Sequence, residues 1–198
     1  MRLTELAHNY LNTQLKAGDH VIDATAGNGY DTAHLASLVG DEGHVIAIDI
    51  QETAINATRE RLSSQNALKQ VRLRQGDHSK ILQLLCTTYA QTISAITFNL
   101  GYLPRSDKSV QTTPETTLCA LDASKQLLKP NGLLLVTAYR EHKGGQNEAD
   151  AVAKWMQQVE SDDWLVDRHN PIAKENKLPP ILYIARRPPT NPSVNLIP

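Results

Sequence analysis

Two short apolar stretches that each end in an acid constrain this chain more than any other feature. They are Val21-Ile22-Asp23 and, one helix-length segment later, Val45-Ile46-Ala47-Ile48-Asp49. The first runs into Ala24-Thr25-Ala26-Gly27-Asn28-Gly29, a glycine-containing turn that hands a strand over to a helix. Parallel strands joined by a crossover helix bring both acids to one rim of a sheet, where α/β folds bind nucleotide-like ligands. A carboxylate there can accept from both hydroxyls of a ribose, so adenosine is the expected guest.

The rest of the chain repeats the strand–helix alternation. Leu3, Leu6, Ala7, Tyr10 and Leu11 recur at helical spacing and predict an opening helix that ends before Gly18. Helices are expected over 31–38, 52–65, 79–89, 114–128 and about 147–160, with Pro114 suited to a first helical turn. Strands are expected over 44–50, 71–74, 93–100, 133–139, 164–169 and 181–186, with Lys129-Pro130-Asn131-Gly132 as a turn. That order predicts an α/β, Rossmann-like fold: a mostly parallel seven-stranded sheet with one antiparallel strand and helices on both faces. Residues 1–187 read as a single domain, and the proline-rich tail 188–198 as extended or disordered.

Composition narrows the function classes. Lys+Arg number 20 against 21 Asp+Glu, a balance that argues against nonspecific duplex binding but permits a local basic face. Arg59, Arg61, Lys69, Arg72, Arg74 and Lys80 form the densest basic run, read as a solvated helix face and strand edge or as an RNA contact. Cys86 and Cys119 are isolated, fall in predicted helices and are expected to be buried free thiols. The seven histidines form no metal-binding pattern, so no metal is expected. No apolar run reaches membrane-span length; a soluble, cytoplasmic protein is expected.

The glycine turn discriminates between adenosine cofactors. A dinucleotide site wants G-x-G-x-x-G, whereas here Gly27-Asn28-Gly29 continues into Tyr30-Asp31-Thr32. Asp31 places a negative charge at the helix N-terminus where a pyrophosphate would sit. S-adenosylmethionine carries no phosphate, and its ammonium and sulfonium tolerate acids, so a methyl donor is favoured over NAD. A third strand end, Gln75-Gly76-Asp77-His78, puts Asp77 where it can accept from the exocyclic amine of adenine. Any one such acid reads equally as a helix N-cap; three endings in register, at Asp23, Asp49 and Asp77, point to a cofactor.

With these residues in view, the sequence resembles class I S-adenosylmethionine-dependent methyltransferases. It is most similar to the bacterial family once labelled putative rRNA methylases and now associated with tRNA wobble-uridine methylation. The resemblance covers the chain to about Leu182 and rests on 23–29 with Asp31-Thr32, on Asp49-Ile50-Gln51, on Phe98-Asn99-Leu100-Gly101-Tyr102-Leu103-Pro104 with Asp107-Lys108-Ser109, and on Thr113-Pro114-Glu115-Thr116-Thr117. Ala26 stands where a Met is common and Asn131 where many relatives have Gly. The resemblance implies methyl transfer to the primary amine of 5-aminomethyl-2-thiouridine at tRNA position 34. The partner would be the anticodon stem-loop of tRNA, and relatives imply a homodimer. The cofactor residues would be Asp23, Gly27, Asn28, Gly29, Asp31, Asp49, Gln51, Gly76, Asp77 and His78.

The acceptor is expected at the end of the fourth strand. Asn99 would accept from the amine, and Tyr102 would stack on the base or orient the amine; Tyr102 reads equally as a loop residue closing the core. An alkylammonium has no lone pair, so pocket desolvation and acceptance by Asn99 are expected to matter more than one strong base. Pro104, Lys108, Arg140 and His142 are candidate substrate contacts, Arg140 together with Lys143 for phosphates. Alternatives are methylation of a small amine or of an rRNA site, a non-catalytic binding module and, remotely, an NAD-dependent oxidoreductase.

Overall fold

The computed structural model describes residues 2–103, 110–171 and 178–189. Its elements run α1 (Leu3–Gln14), β1 (His20–Asp23), α2 (Tyr30–Val39), β2 (His44–Asp49), α3 (Glu52–Ser64), β3 (Val71–Gln75), α4 (His78–Tyr89), β4 (Ile93–Leu100), α5 (Pro114–Leu127), β5 (Leu128–Ala138), α6 (Gly145–Ser161), β6 (Leu165–His169) and β7 (Ile181–Arg186). The seven strands form one sheet in the order β3-β2-β1-β4-β5-β7-β6. Strands β1 to β5 are parallel, and β7 runs antiparallel to both β5 and β6. The expected sheet, with its one reversed strand, is the one observed.

The near-continuous apolar strands follow from burial on two faces, since successive side chains point to opposite sides. Ile22, Ile46, Ile48, Ile96, Phe98, Leu134 and Val136 face one cluster with Leu82 of α4, Leu121 of α5 and Met156 of α6. Their neighbours Val21, Val45, Ala47, Ala95, Leu133 and Leu135 face the other, with Leu11 of α1, Leu35 of α2 and Leu62 of α3. Each fully buried Val, Leu, Ile, Phe or Met among them contributes roughly 1.5–3 kcal/mol of transfer free energy.

The chain leaves β1 for β2 and β3 on one side and returns to β4 on the other. The strand order therefore reverses beside β1, the switch point where open α/β sheets bind ligands. In register, Asp23 lies opposite Ala47 and Thr97. Strand β2 continues through Ile48 to Asp49, and β4 through Phe98 and Asn99 to Leu100. A crevice opens above the short strand.

Two expectations change. Lys129-Pro130-Asn131-Gly132 is not a turn ahead of β5 but a bulge inside it: Leu128 pairs with Ile93 and Leu133 with Ala95, so the four residues loop out opposite Ser94. Asn131, at φ +62°, is held by its amide donating to the Arg187 carbonyl at 3.1 Å. Cys119 is exposed rather than buried, because Thr117, Ala120, Leu121 and Ser124 occupy the core-facing side of α5; Cys86 is half-buried. Of the proline-rich tail, only Pro188 and Pro189 lie within the described residues.

The bulge delivers Lys129 to a buried acid. Asp19 is 7% exposed and accepts from Lys129 Nζ at 2.8 Å, Ser94 Oγ at 2.5 Å and the Lys16 amide at 2.9 Å, tying β1, β4 and β5 together. Burial alone would raise its pKa, yet the Lys129 and Ser94 bonds outweigh it and hold the carboxyl below the ordinary value. A carboxylate of this kind contributes stability that is full above its unfolded pKa and is lost as pH falls through the folded one. Asp19→Asn is expected to cost about 1–3 kcal/mol at pH 7, read from the urea midpoint, with a smaller cost near pH 3.

Candidate active site

The crevice over β1 has a volume of about 1060 Å³, at the upper end of the roughly 300–1,000 Å³ usual for a single small-molecule pocket. It has room for a nucleoside cofactor and part of a second molecule. The turn after β1 forms its floor. The Gly27 amide donates to Asp49 Oδ2 and the Gln51 amide to Asp49 Oδ1, both at 2.9 Å. Each oxygen is thereby fixed by one backbone donor and retains acceptor capacity for another. Burial pushes the Asp49 carboxyl up, against those two amides. Gly29, at φ +77°, lets α2 approach α3 so closely that a Cβ there would lie 2.8 Å from Thr58 Cα.

Asp23 departs from expectation. It is fully buried (0% exposed) beneath the turn, does not line the crevice, and accepts from Thr32 Oγ1 at 2.6 Å and the Thr25 amide at 3.2 Å. It shapes the floor instead of meeting a ligand. Burial first, then the nearby Asp31 charge, push its pKa up to about 7.

Asp77 takes the helix-cap reading of a strand-end acid and also stands on the crevice wall. It caps α4, its Oδ1 accepting from the Ser79 amide and hydroxyl at 2.8 and 2.7 Å, and it also lines the crevice. Burial opposes ionisation, but the Ser79 bonds prevail and hold its pKa low. His78 is 8% exposed, packs edge-on against Phe98 and leaves its buried Nε2 without a partner. Burial lowers its pKa, favouring the neutral ring.

On the opposite wall, Asn99 is oriented from behind. Its backbone amide donates to Thr25 Oγ1 and its Nδ2 to Asp31 Oδ2, both at 2.7 Å, while Asp31 Oδ1 meets His8 Nε2 at 2.7 Å. Because a carboxylate only accepts, the Asn99 amide nitrogen must face Asp31, leaving Oδ1 as an acceptor for other donors. Burial would raise Asp31, but the His8 and Asn99 bonds hold its pKa below the ordinary value.

Beyond Asn99, the Gly101 amide donates to Thr112 Oγ1 at 2.8 Å. Thr112 and Thr117 donate in turn to Glu148, an acid only 1% exposed, at 2.8 and 2.6 Å. The Tyr102 ring stands edge-on to His142 with centroids 5.7 Å apart. The Gln111 amide nitrogen donates to the Lys143 carbonyl at 2.7 Å, so its Oε1 accepts from His142 Nδ1 at 3.1 Å. That sequence of bonds puts a proton on Nδ1, while Nε2 is buried and has no hydrogen-bond partner.

Of the residues singled out in the sequence, Gly27, Asn28, Asp31, Asp49, Gln51, Gly76, Asp77, His78, Asn99, Tyr102, Arg140 and His142 line one crevice, and Gly29 does not. Pro104 and Lys108 lie outside the described residues. Arg140 is less free than a phosphate clamp requires, since its Nε and Nη2 both donate to the Pro179 carbonyl at 2.9 and 2.6 Å. The basic run does not form one patch. Arg72 and Arg74 pair with Ile46 and Ile48 and share their face, whereas Arg61 extends from α3 on the other face. Tyr139, first of the row after strand five that the sequence places on this rim, lines the crevice, as does Thr4, while His8 and Glu148 stand behind its wall; sequence reading missed these last three. Tyr139, the residue after β5, carried a signal; His8 carried none, because it meets Asp31 across packed helices. Among the described residues no group of three or more His, Cys, Asp or Glu is placed to hold a metal.

An adenosine-bearing methyl donor fits these groups. Asp49 offers acceptors for ribose hydroxyls, Asp77 and His78 bracket space for a base, and Asp31 stands where a pyrophosphate would be repelled. The fold and the rim together define a class I, S-adenosylmethionine-dependent methyltransferase. The chain belongs to the family described as Putative rRNA methylase, whose model matches residues 45–186. A model for protein-L-isoaspartate(D-aspartate) O-methyltransferase matches residues 2–83.

The chain is 37% identical over 172 residues to a chloroplastic tRNA (mnm(5)s(2)U34)-methyltransferase from Arabidopsis thaliana, covering 83% of this chain and 62% of that protein. It thus spans less than two thirds of that relative. A putative rRNA-methylase from Clostridium thermocellum superposes with a TM-score of 0.85 at 37% identity, over 92% of this chain and 96% of the other. A putative methyltransferase from Streptococcus mutans, solved in complex with SAH, gives 0.81 at 35% identity, over 94% and 98%.

Asp49→Ala is expected to weaken S-adenosylmethionine binding by about 100-fold or more, through loss of charge-assisted hydrogen bonds, while the ligand-free melting temperature stays within a few degrees. Calorimetry that returned the native affinity would remove Asp49 from the site. For Asp23, a folded pKa of about 7 lies above the roughly 3.9 of an unfolded aspartate. The folded state therefore binds the proton more tightly, and this contribution to stability is full below about pH 4 and is lost as pH rises through 7. Urea midpoints of the ligand-free protein should fall more steeply between pH 5 and 8 in the native chain than in Asp23→Asn.

Proposed function

We propose that the protein is an N-methyltransferase that methylates the primary amine of 5-aminomethyl-2-thiouridine at the wobble position of tRNA, in the cytoplasm, with the anticodon stem-loop as its partner. The observation that carries this reading is the Asn99 amide on the crevice wall, whose nitrogen is held by Asp31 and whose oxygen is thereby left as an acceptor. An N–H donor with a nucleophilic lone pair is the group such an oxygen selects. The printed name of the Arabidopsis relative supports the same amine and the same base.

Bound S-adenosylmethionine would supply a methyl carbon on a positive sulfur; the amine's lone pair forms the new N–C bond as the S–C pair returns to sulfur. The chain's own task is placement. Asp49 and Gln51 would hold the ribose, Gly76, Asp77 and His78 the base, and the Gly27–Gly29 turn the amino-acid end. Asn99 Oδ1 would accept one N–H and fix the direction of the amine lone pair, a positional gain that can amount to several powers of ten. Exclusion of water over the apolar rim at Leu100 and Leu103 favours the neutral amine over its ammonium. The Asp31 carboxylate draws an incoming cation to the same wall, and Tyr102, edge-on to His142, offers a ring to the substrate base. A wobble base is already unpaired, so presenting it costs less than extracting one from a duplex.

Asn99→Ala should leave calorimetric affinity for S-adenosylmethionine within about twofold of native and reduce methyl transfer to tRNA bearing the aminomethyl group by at least about 100-fold. The reading is tested directly by incubating purified protein with labelled methyl donor and total RNA from a strain lacking the methylaminomethyl base, followed by nucleoside mass spectrometry. Label in rRNA, or in a free amine and not in tRNA, would refute it.

A further inference from the structure

We propose that Tyr30 is a stacking platform for an unpaired nucleobase adjacent to the one being methylated; this rests on the RNA reading above. Tyr30 opens α2 directly after Gly29, whose positive φ turns the chain so that the ring emerges at the crevice mouth, 65% exposed. A large aromatic ring left this open forfeits burial that such side chains ordinarily obtain. It is not left loose. The Arg61 guanidinium carbon lies 3.5 Å from the ring centroid, and Arg61 Nε donates to the Asn28 carbonyl at 2.7 Å, in the turn that Tyr30 follows. One face of the ring is thus backed by a cation that is itself anchored to the backbone, and solvent reaches the remainder.

A ring immobilised in this way has already lost the rotamer freedom that stacking would otherwise take from it. What it offers is a rigid π surface with positive charge behind it, suited to a flat, electron-rich partner attached to phosphate. Nucleobases meet that description, and aromatic–base stacking tolerates any base identity. The position is also informative. Tyr30 adjoins Asp31, the acid that orients Asn99, so a base on Tyr30 would lie next along the strand from one held at Asn99. The crevice volume allows for this second occupant.

The test uses fluorescence anisotropy with a fluorescein-labelled anticodon stem-loop RNA, alongside calorimetry with S-adenosylmethionine. Tyr30→Ala and Tyr30→Leu should each weaken RNA binding on the order of tenfold, Tyr30→Trp should hold within about twofold, and cofactor affinity should not change in any of them. Arg61→Gln, which releases the ring, should fall between. RNA affinity within twofold of native in Tyr30→Ala would overturn the proposal, as would an equal loss of cofactor affinity, which would assign the ring to the cofactor. Native protein that binds no RNA yet methylates a free amine would refute the RNA reading itself, and the platform with it.

Discussion

The premature end of β1 is the constraint from which the rest of the site follows. Its neighbours β2 and β4 run on past it, leaving backbone groups on both sides that would ordinarily pair with a continuing strand. Those groups are met one at a time. The Ala24 amide donates to the Thr97 carbonyl and the Ala26 amide to Ile48, while Thr25 Oγ1 receives the Asn99 amide. Asp49 then draws the Gly27 amide across to β2. The result is a gap in the sheet whose base is tied by these four bonds and which is bordered by Asp49 on one side and Asn99 on the other. Without the Thr25 and Asp49 side chains, the same opening would leave buried amides unpaired at about 1–3 kcal/mol each.

Within that gap, acidity is set by burial working against the hydrogen-bond donors each carboxyl receives. Asp23, sealed under the floor, is pushed to about 7 by desolvation, while Asp31, whose burial is offset by His8 and Asn99, stays low. The two interact unfavourably, and the chain meets this by giving each its own donors: Thr32 and Thr25 to Asp23, His8 and Asn99 to Asp31. Thr32 occupies the position where a dinucleotide fold has its third glycine, and Asp31 directly precedes it. The Asp31 charge disfavours a pyrophosphate there, and its Oδ2 holds the Asn99 amide nitrogen.

Local pattern made the architecture and most of the rim readable from the chain. Strands buried on both faces announce themselves as apolar runs, and the acids closing three of them fall at the same height because parallel strands share a direction. What stayed hidden depends on long-range packing. Asp23 and Asp49 look alike in sequence; only their depth in the sheet separates a floor residue from one that lines the crevice. The His8–Asp31 and Thr112–Glu148 contacts join residues that no short-range spacing connects. The bulge at 129–132 reads as a turn because Pro-Asn-Gly is turn chemistry; only the register on either side of it shows that the strand resumes.

The charge layout bears on how an RNA could be held. Among the described residues, Arg140 is bound to a carbonyl, Arg61 is stacked on Tyr30, and Arg72 and Arg74 lie on the opposite face of the sheet from Arg61. A grip made chiefly of phosphate contacts needs several free cations on one surface, and its affinity falls steeply with salt. Here the crevice wall carries Asp31, Asp49 and Asp77, its lining Arg140 is tied to a carbonyl, and Arg61 is stacked on an aromatic ring. Such a surface favours recognition by shape and stacking of unpaired bases, the mode by which sequence-tolerant single-stranded sites work. The acids lining the crevice would repel a phosphate backbone and attract a cationic group, so the charge layout favours entry of cations over phosphates.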